Sequence, residues 1–318
     1  MLSLDISQLN TALGDYCRDN DQDLIRKMYL KLPFDRYNVL DNVTDETPLP
    51  KMEVSGVVRP AQPQNFISGT NNVKFTTRMM KVRGAEINVK LIPKEAINSY
   101  LGKFLKKGTD PYDMPFISAI MEDILASAAH EITKLAIWKG VWNANGTSAS
   151  DVCDGFLKVI TDAIAAGEIS TTIGNMVATG AITATNVIDK VEMIVDGIAE
   201  EWQSEQLYMY VSPKIFKWYK RAYRAIYGQN QDYAGMEKTG MIQLDGEDTY
   251  LVREIGLSGS QRIVCTPKEN AYIGVDSVSD YGTLRTELFE RQIKLMGDAK
   301  LGTNFGQLVD CFVTNDQA

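Results

Sequence analysis

The chain has 318 residues, a formal net charge of −8 and an apolar fraction of 44%, the makeup of a folded protein with one large domain or two ordinary ones. No apolar run approaches the ~20 residues that span a bilayer, and the opening MLSLDISQLN lacks the basic and apolar regions of a secretory signal. The acidic balance argues against a generic nucleic-acid binder.

Residues 4–31 carry Leu9, Leu13, Tyr16, Leu24, Ile25 and Met28 at helical intervals, with Gly14 weakening the middle. Residues 41–72 hold Pro48, Pro50, Pro60 and Pro63 and read as a long extended loop, of a kind that is uncommon inside a compact domain and usually functional. Val73, Phe75 and Thr77 then alternate with polar residues. After Lys81-Val82-Arg83-Gly84, Ile87, Val89 and Leu91 do the same. This predicts a hairpin with one covered and one wet face, and few apolar partners lie nearby in sequence to cover it. The strongest periodicity runs over 114–139, through Ile117, Ile120, Met121, Ile124, Leu125, Ala128, Ile132 and Leu135. A helix of about 26 residues would run about 39 Å, with Pro111 and Pro115 at its start and Gly140 at its end.

Asn143–Thr147 reads as a turn. Residues 185–203 read as an amphipathic helix and Leu207–Val211 as a short buried strand. Ser212 and Pro213 cap a helix running to Tyr227. Strands at 249–255, 262–266 and 271–275 complete a mixed α/β unit. From 283 to 314 alternation returns, with a turn at Gly297-Asp298 and a last strand over Leu308–Val313. These strands have no sequential helix partner and are expected to return to an earlier part of the fold.

Motifs that carry chemistry are absent or broken. The single histidine, His130, opens His-Glu-Ile-Thr-Lys, so Lys134 stands where a zincin needs its second histidine. Gly256-Leu257-Ser258-Gly259-Ser260 lacks the final glycine of a nucleophile elbow. Asp19–Asp23 opens like a calcium loop, but Leu24 replaces the turn glycine and Leu30 the closing glutamate. No phosphate loop occurs. Cys17, Cys153, Cys265 and Cys311 form no CxxC pair, and reduced thiols of a cytosolic chain are expected. No catalytic, cofactor or metal residue is assigned, and the chain reads as no enzyme.

One patch suits a charged partner. Helix 213–227 carries Lys214, Lys217, Lys220, Arg221 and Arg224 and no acid, with Ile215, Tyr219, Ala222, Tyr223 and Ile226 on its other face. The partner is nucleic acid or a carboxylate-bearing neighbour; the plainer alternative is an aromatic face packed in the core with the charges solvated.

Taken together, the order of elements resembles the major capsid proteins of tailed phages, the Hong Kong 97 phage fold, an α+β class. The resemblance is carried by the Phe75–Leu91 hairpin, the Pro115–Gly140 helix, Tyr250–Glu254, the stretch Arg262–Asp276 with its Thr266-Pro267-Lys268-Glu269-Asn270 turn and Gly274-Val275-Asp276 step, and the ending from Arg285 to Phe312. It implies an N-arm at 1–40 and an E-loop at 41–92 reaching over a neighbouring subunit. It implies a peripheral domain from 93–153 and 276–318, with 114–139 as its spine helix, and an axial domain from 154–275. The implied function is an icosahedral head shell of hexamers and pentamers enclosing double-stranded DNA, held by weak non-specific contact. The implied partners are further copies of the chain, with scaffold, portal and decoration proteins, and no membrane. The implied location is the virion, after assembly in the host cytoplasm. Arg78, Lys81, Arg83 and Lys90 of the hairpin, with the five bases of helix 213–227, are the expected intersubunit contacts. The arm begins within ten residues, so a separate scaffold protein, or none, is expected. Lys74, Lys81 and Lys90 are available for a crosslink, but nothing singles one out. An encapsulin-like nanocompartment shell is the nearest alternative, and a soluble enzyme or nucleic-acid-binding module the next.

Overall fold

The computed structural model describes residues 6–19, 32–41, 43, 45–54, 58, 73–92, 114–227, 240–244, 248–275, 285–290 and 292–317. Helix α1 (Ile6–Asp19) buries Leu13, Tyr16 and Cys17, a stripe at helical spacing. The continuation expected to residue 31, with the acidic run after Asp19, lies outside the described residues. Strands β1 (Asn38–Leu40), β2 (Glu46–Val54), β3 (Val73–Lys81) and β4 (Arg83–Leu91) follow. The hairpin is not the expected one. β3 pairs with β2, from Glu46↔Lys81 to Val54↔Val73, and β4 pairs elsewhere. Only Val82 separates β3 from β4, and one residue cannot reverse a chain; the tightest common hairpin loop needs two. Gly84, expected in the turn, lies inside β4.

Helix α2 (Met114–Glu131) is regular for 18 residues and then widens into a π turn over Ile132–Ala136, where the Ile137 N–H donates to the Ile132 carbonyl at 3.1 Å. Gly140 ends the segment as expected. Its N–H reaches the Ala136 carbonyl, and a Cβ there would stand 2.3 Å from the Cys153 carbonyl oxygen. The expected turn at 143–147 is present. The Gly146 N–H bonds the Asn143 carbonyl, and the Asp151 carboxylate accepts from the Thr147 and Ser148 N–H groups at 3.1 Å each.

Next come α3 (Phe156–Ala165), β5 (Met176–Val177), α4 (Val187–Val195), α5 (Glu200–Gln203), β6 (Leu207–Val211) and α6 (Pro213–Tyr227). The helix expected over 185–203 is therefore two. The chain turns at Gly197, where a Cβ would come within 2.7 Å of the Val177 side chain. Strands β7 (Met241–Gln243), β8 (Thr249–Arg253), β9 (Val264–Pro267) and β10 (Ala271–Val275) precede β11 (Arg285–Phe289), β12 (Gln292–Phe305) and β13 (Val313–Asn315). Gly297-Asp298 is no turn. It lies inside the 14-residue β12, and the reversal falls at Glu290, which adopts φ 56°. The last strand starts at Val313, not Leu308, because Asp310 at φ 68° breaks the extended run.

These elements divide into two units. The first comprises Met1–Thr44, Val82–Lys158 and Ile273–Thr303. Its sheet runs β1-β10-β12-β11, with β4 also on β12. β4 and β12 are antiparallel from Leu91↔Ile293 to Arg83↔Leu301. The apolar row Val89 and Leu91, with Ile293 and Leu295, faces Leu13 of α1 and Ile120, Met121 and Ile124 of α2. α1 lies so close to the sheet that a Cβ on Gly14 would meet the Thr286 hydroxyl at 3.0 Å, which explains a glycine in mid-helix. A second cluster stacks Tyr37 on Phe156 (centroids 5.6 Å apart) and tilts Trp138 against Phe156 (5.0 Å). Inside it the Trp138 Nε1–H donates to the Tyr37 hydroxyl at 2.8 Å, so the one polar edge of each ring is satisfied.

The second unit comprises Asp45–Lys81, Val159–Tyr272 and Asn304–Ala318. Its sheet runs β5-β13-β9-β6-β8-β7, with β6 parallel to β8 and antiparallel to β9. This is the mixed α/β unit the sequence predicts. α4 and α6 pack on each other and share one core. Val187, Val191 and Ile194 from α4 meet Ile215, Tyr219 and Tyr223 from α6 over Leu207, Met209 and Val211 of β6. The Ser212 hydroxyl accepts the Ile215 N–H at 3.4 Å, the cap expected from its place before Pro213. The chain's last strands do return to earlier parts of the fold: β12 to β4, and β13 to β5 and β9. β13 completes the sheet of the second unit, so residues 304–318 group with 159–272.

Candidate intersubunit surfaces

The two-stranded β2–β3 sheet has faces of opposite character. Residues 47, 49, 51 of β2 and 76, 78, 80 of β3 point one way. There Leu49 and Met80 are buried, and the Arg78 guanidinium bonds the Glu168 carboxylate. The Asn304 side-chain amide donates to the Met79 carbonyl at 2.8 Å. The other row holds Glu46, Pro48, Pro50 and Val54 opposite Lys81, Met79, Thr77 and Val73, with Phe75 between. It is open. Val54 is 49% exposed, Val73 49%, Phe75 70% and Met79 46%. Contiguous apolar side chains in water mark a surface that is covered by something else. At the base of this row Lys81 Nζ lies 3.0 Å from Glu46 Oε1. Pro48 and Pro50 remove two N–H donors from β2, which blunts unselective edge pairing.

The basic residues singled out from sequence fall into three groups. Arg78 and Lys81 are tied within the second unit to Glu168 and Glu46. Arg83, in the first unit, stacks its guanidinium 4.4 Å from the Trp142 ring centre. Lys90 is exposed on β4 and stands opposite Lys294 in the sheet register, while Lys294 lies over Phe289 at 4.0 Å. Four residues along, Glu86 stands opposite Asp298. The alternation of Val73 and Phe75 did signal an apolar row. It did not signal that the row is exposed.

α6 carries the third group. Ile215, Phe216, Tyr219 and Tyr223 are buried, but Ile226, expected on the same face, is 64% exposed. Lys214 lies over the Trp218 ring at 4.6 Å, and Lys220 has its own partner. Lys217, Arg221 and Arg224 are exposed and, among the described residues, make no ion pair. On α4 the exposed positions are acidic. Asp189, Glu192 and Asp196, with Glu200, Glu201 and Glu205 after them, face solvent and likewise make no ion pair among the described residues. Sequence reading missed this acidic stripe, although its i, i+3, i+7 spacing was there to be counted.

His130 is exposed in the last turn of α2. Among the described residues no group of three His, Cys, Asp or Glu side chains stands close enough to hold a metal, and no helix is long and apolar enough to cross a membrane. All four cysteines are buried, and none forms a disulfide. Burial, then the Asp154 charge, pushes the Cys153 thiol up to about 12, and burial foremost pushes Cys311 up to about 11, so neither forms the reactive thiolate. The Thr266–Asn270 turn is a brace. The Asn270 amide donates to Thr266 Oγ1 and the Gln307 carbonyl at 2.8 Å each, and its oxygen accepts the Gln307 N–H at 2.7 Å.

The fold has counterparts among solved phage structures. No protein-family model and no curated protein matches the sequence, but solved structures do. A chain of the satellite phage P4 procapsid including size determination protein is similar over 93% of this chain and 90% of that one, with a TM-score of 0.55 and 14% identity. A chain of the capsid of Myoviridae phage XM1 is similar over 88% and 89%, at 0.50 and 9%. One from Gordonia phage Cozz is similar over 88% and 84%, at 0.51 and 10%. The mixed helix and strand content thus matches the fold of these phage capsid structures.

Proposed function

We propose that the chain is the major capsid protein of a tailed-phage-type particle, with no enzymatic role. It self-assembles into hexamers and pentamers that close as an icosahedral head shell around double-stranded DNA. The observation that carries this reading is the open apolar row of β2–β3 in a chain with the capsid fold. Val54, Val73, Phe75 and Met79 are 46–70% exposed, and a shell supplies cover from the next copy. In this reading β2 and β3 are the working part of the E-loop expected over 41–92, whereas β4 belongs to the sheet beneath α1 and α2. α2 is the spine of the peripheral domain, the sheet with α4 and α6 is the axial domain, and residues 1–40 are the N-arm. Scaffold, portal and decoration proteins are the partners that go with this role, and the particle is the place of residence.

Many repeated contacts between unlike surfaces close only when the rotation permits. Electron microscopy of the purified full-length chain tests the proposal. Closed icosahedral shells of megadalton mass are expected. Monomers, discrete dimers or open fibres at high protein concentration contradict it, and uniform small shells without DNA capacity point to a nanocompartment instead.

A further inference from the structure

The second unit separates its charges into two helices. On α4, Asp189, Glu192 and Asp196 follow at i, i+3 and i+7; on α6, Lys217, Arg221 and Arg224 follow at i, i+4 and i+7. Each stripe spans seven residue steps, about 10.5 Å at 1.5 Å per step. Each lies opposite the buried face of its helix, since Val187, Val191 and Ile194 on α4 and Ile215, Tyr219 and Tyr223 on α6 point into the shared core. α4 contacts β13 and α6 contacts β8, strands set apart by β9 and β6 in the sheet order. α4 and α6 pack on each other, so the two stripes run side by side on the solvent face of one helical layer. None of the six side chains makes an ion pair within the described residues.

We infer that these stripes are the two halves of one head-to-tail contact between copies of this chain. The basic stripe of α6 docks on the acidic stripe of α4 in the next copy. The inference rests on the shell reading and names the partner of its capsomer contact. A surface that carried only the bases would fit nucleic acid equally well. Here the same unit presents an acidic stripe of matching length on the neighbouring helix, so each copy offers both members of the pair. Such a contact is heterologous. It leaves one free stripe at each end of any open row and satisfies all of them when a ring closes.

A charge-reversal cycle on the full-length chain tests it. One variant carries Lys217→Glu with Arg221→Glu, a second carries Glu192→Lys with Asp196→Lys, and a third carries all four. Asp189 is left in place because a carboxylate in the first turn of α4 supports the helix itself. Each two-site variant should lose capsomers and particles about tenfold or more, since favourable exposed pairs are replaced by repulsion at every interface. The four-site variant should recover most of the loss. An equimolar mixture of the two-site variants should close even-numbered rings and no pentamers, because the copies must then alternate.

Normal assembly of either two-site variant overturns the inference. So does loss without recovery in the four-site variant, and so does intact assembly with only DNA retention reduced, which would place α6 against the genome. Melting temperatures of the unassembled variants should agree with the wild type. A drop that the four-site variant reverses would make the pairing intramolecular and also overturn it. Wild-type rings that never close into shells would refute the shell reading while the cycle still reads on the rings. A wild-type chain that stays monomeric refutes both.

Discussion

β3 and β4 are neighbours in sequence, carry the same alternation and meet opposite fates. On β4 the apolar row is half-buried, with Val89 and Leu91 facing α1 and α2. On β3 the row Val73, Phe75 and Met79 stands open. Alternation records which residues share a face; it does not record what covers the face. The difference lies in partners. β4 joins a sheet closed by helices of its own unit, whereas β2 and β3 form a two-stranded sheet, too small to be stable on two rows of side chains unaided.

Mutations should separate the two rows sharply. Ile293→Ala, beside β4 in the covered layer, should destabilise the subunit by about 2–5 kcal/mol through lost transfer energy and a cavity, read by denaturant titration. Phe75→Asp should leave that titration within about 0.5 kcal/mol of wild type, as expected for an exposed site, yet abolish shells in the electron microscope. A subunit that unfolds on Phe75→Asp would mean the open row packs within one copy. A finer effect is expected at the base of the hairpin. Lys81→Ala removes a half-exposed pair with Glu46 and should cost about 0–1 kcal/mol, an effect that fades as salt is raised in the same titration.

The smallest expected effect lies away from both rows. Burial raises the Asp316 carboxyl, but hydrogen bonds from Gln317, Gly180 and Thr179 outweigh it and hold the group below its ordinary 3.8. A depressed folded value contributes stability above 3.8 that is lost as pH falls through the folded value. Asp316→Asn should therefore lower stability slightly near neutrality, flatten the acid limb of a stability–pH curve, and leave stability unchanged below the folded value.

Much of the fold was legible from local signals. β6, α6 and β10 stand where periodicity and the Ser212-Pro213 cap put them, because each is bounded by its own turn chemistry. The errors came from pairing and close approach, which no local signal encodes. Lys81–Gly84 has the makeup of a turn, yet β3 pairs with β2 and β4 with β12. Gly297 was read as a turn but lies within β12, opposite Ile87. The break at Gly197 follows from its crowding against Val177. The basic stripe of α6 was visible in sequence; its acidic counterpart on α4 went unremarked because the two stripes become related only once both helices lie on one sheet.

Hydrogen exchange on unassembled subunits and on shells, compared segment by segment, tests the central claim most directly. Residues 46–54 and 73–81 should exchange fast in the subunit and become protected in the shell, while 83–91 should be protected in both. Equal protection of 73–81 in the two states would contradict the account, since the open row would then need no second copy to cover it.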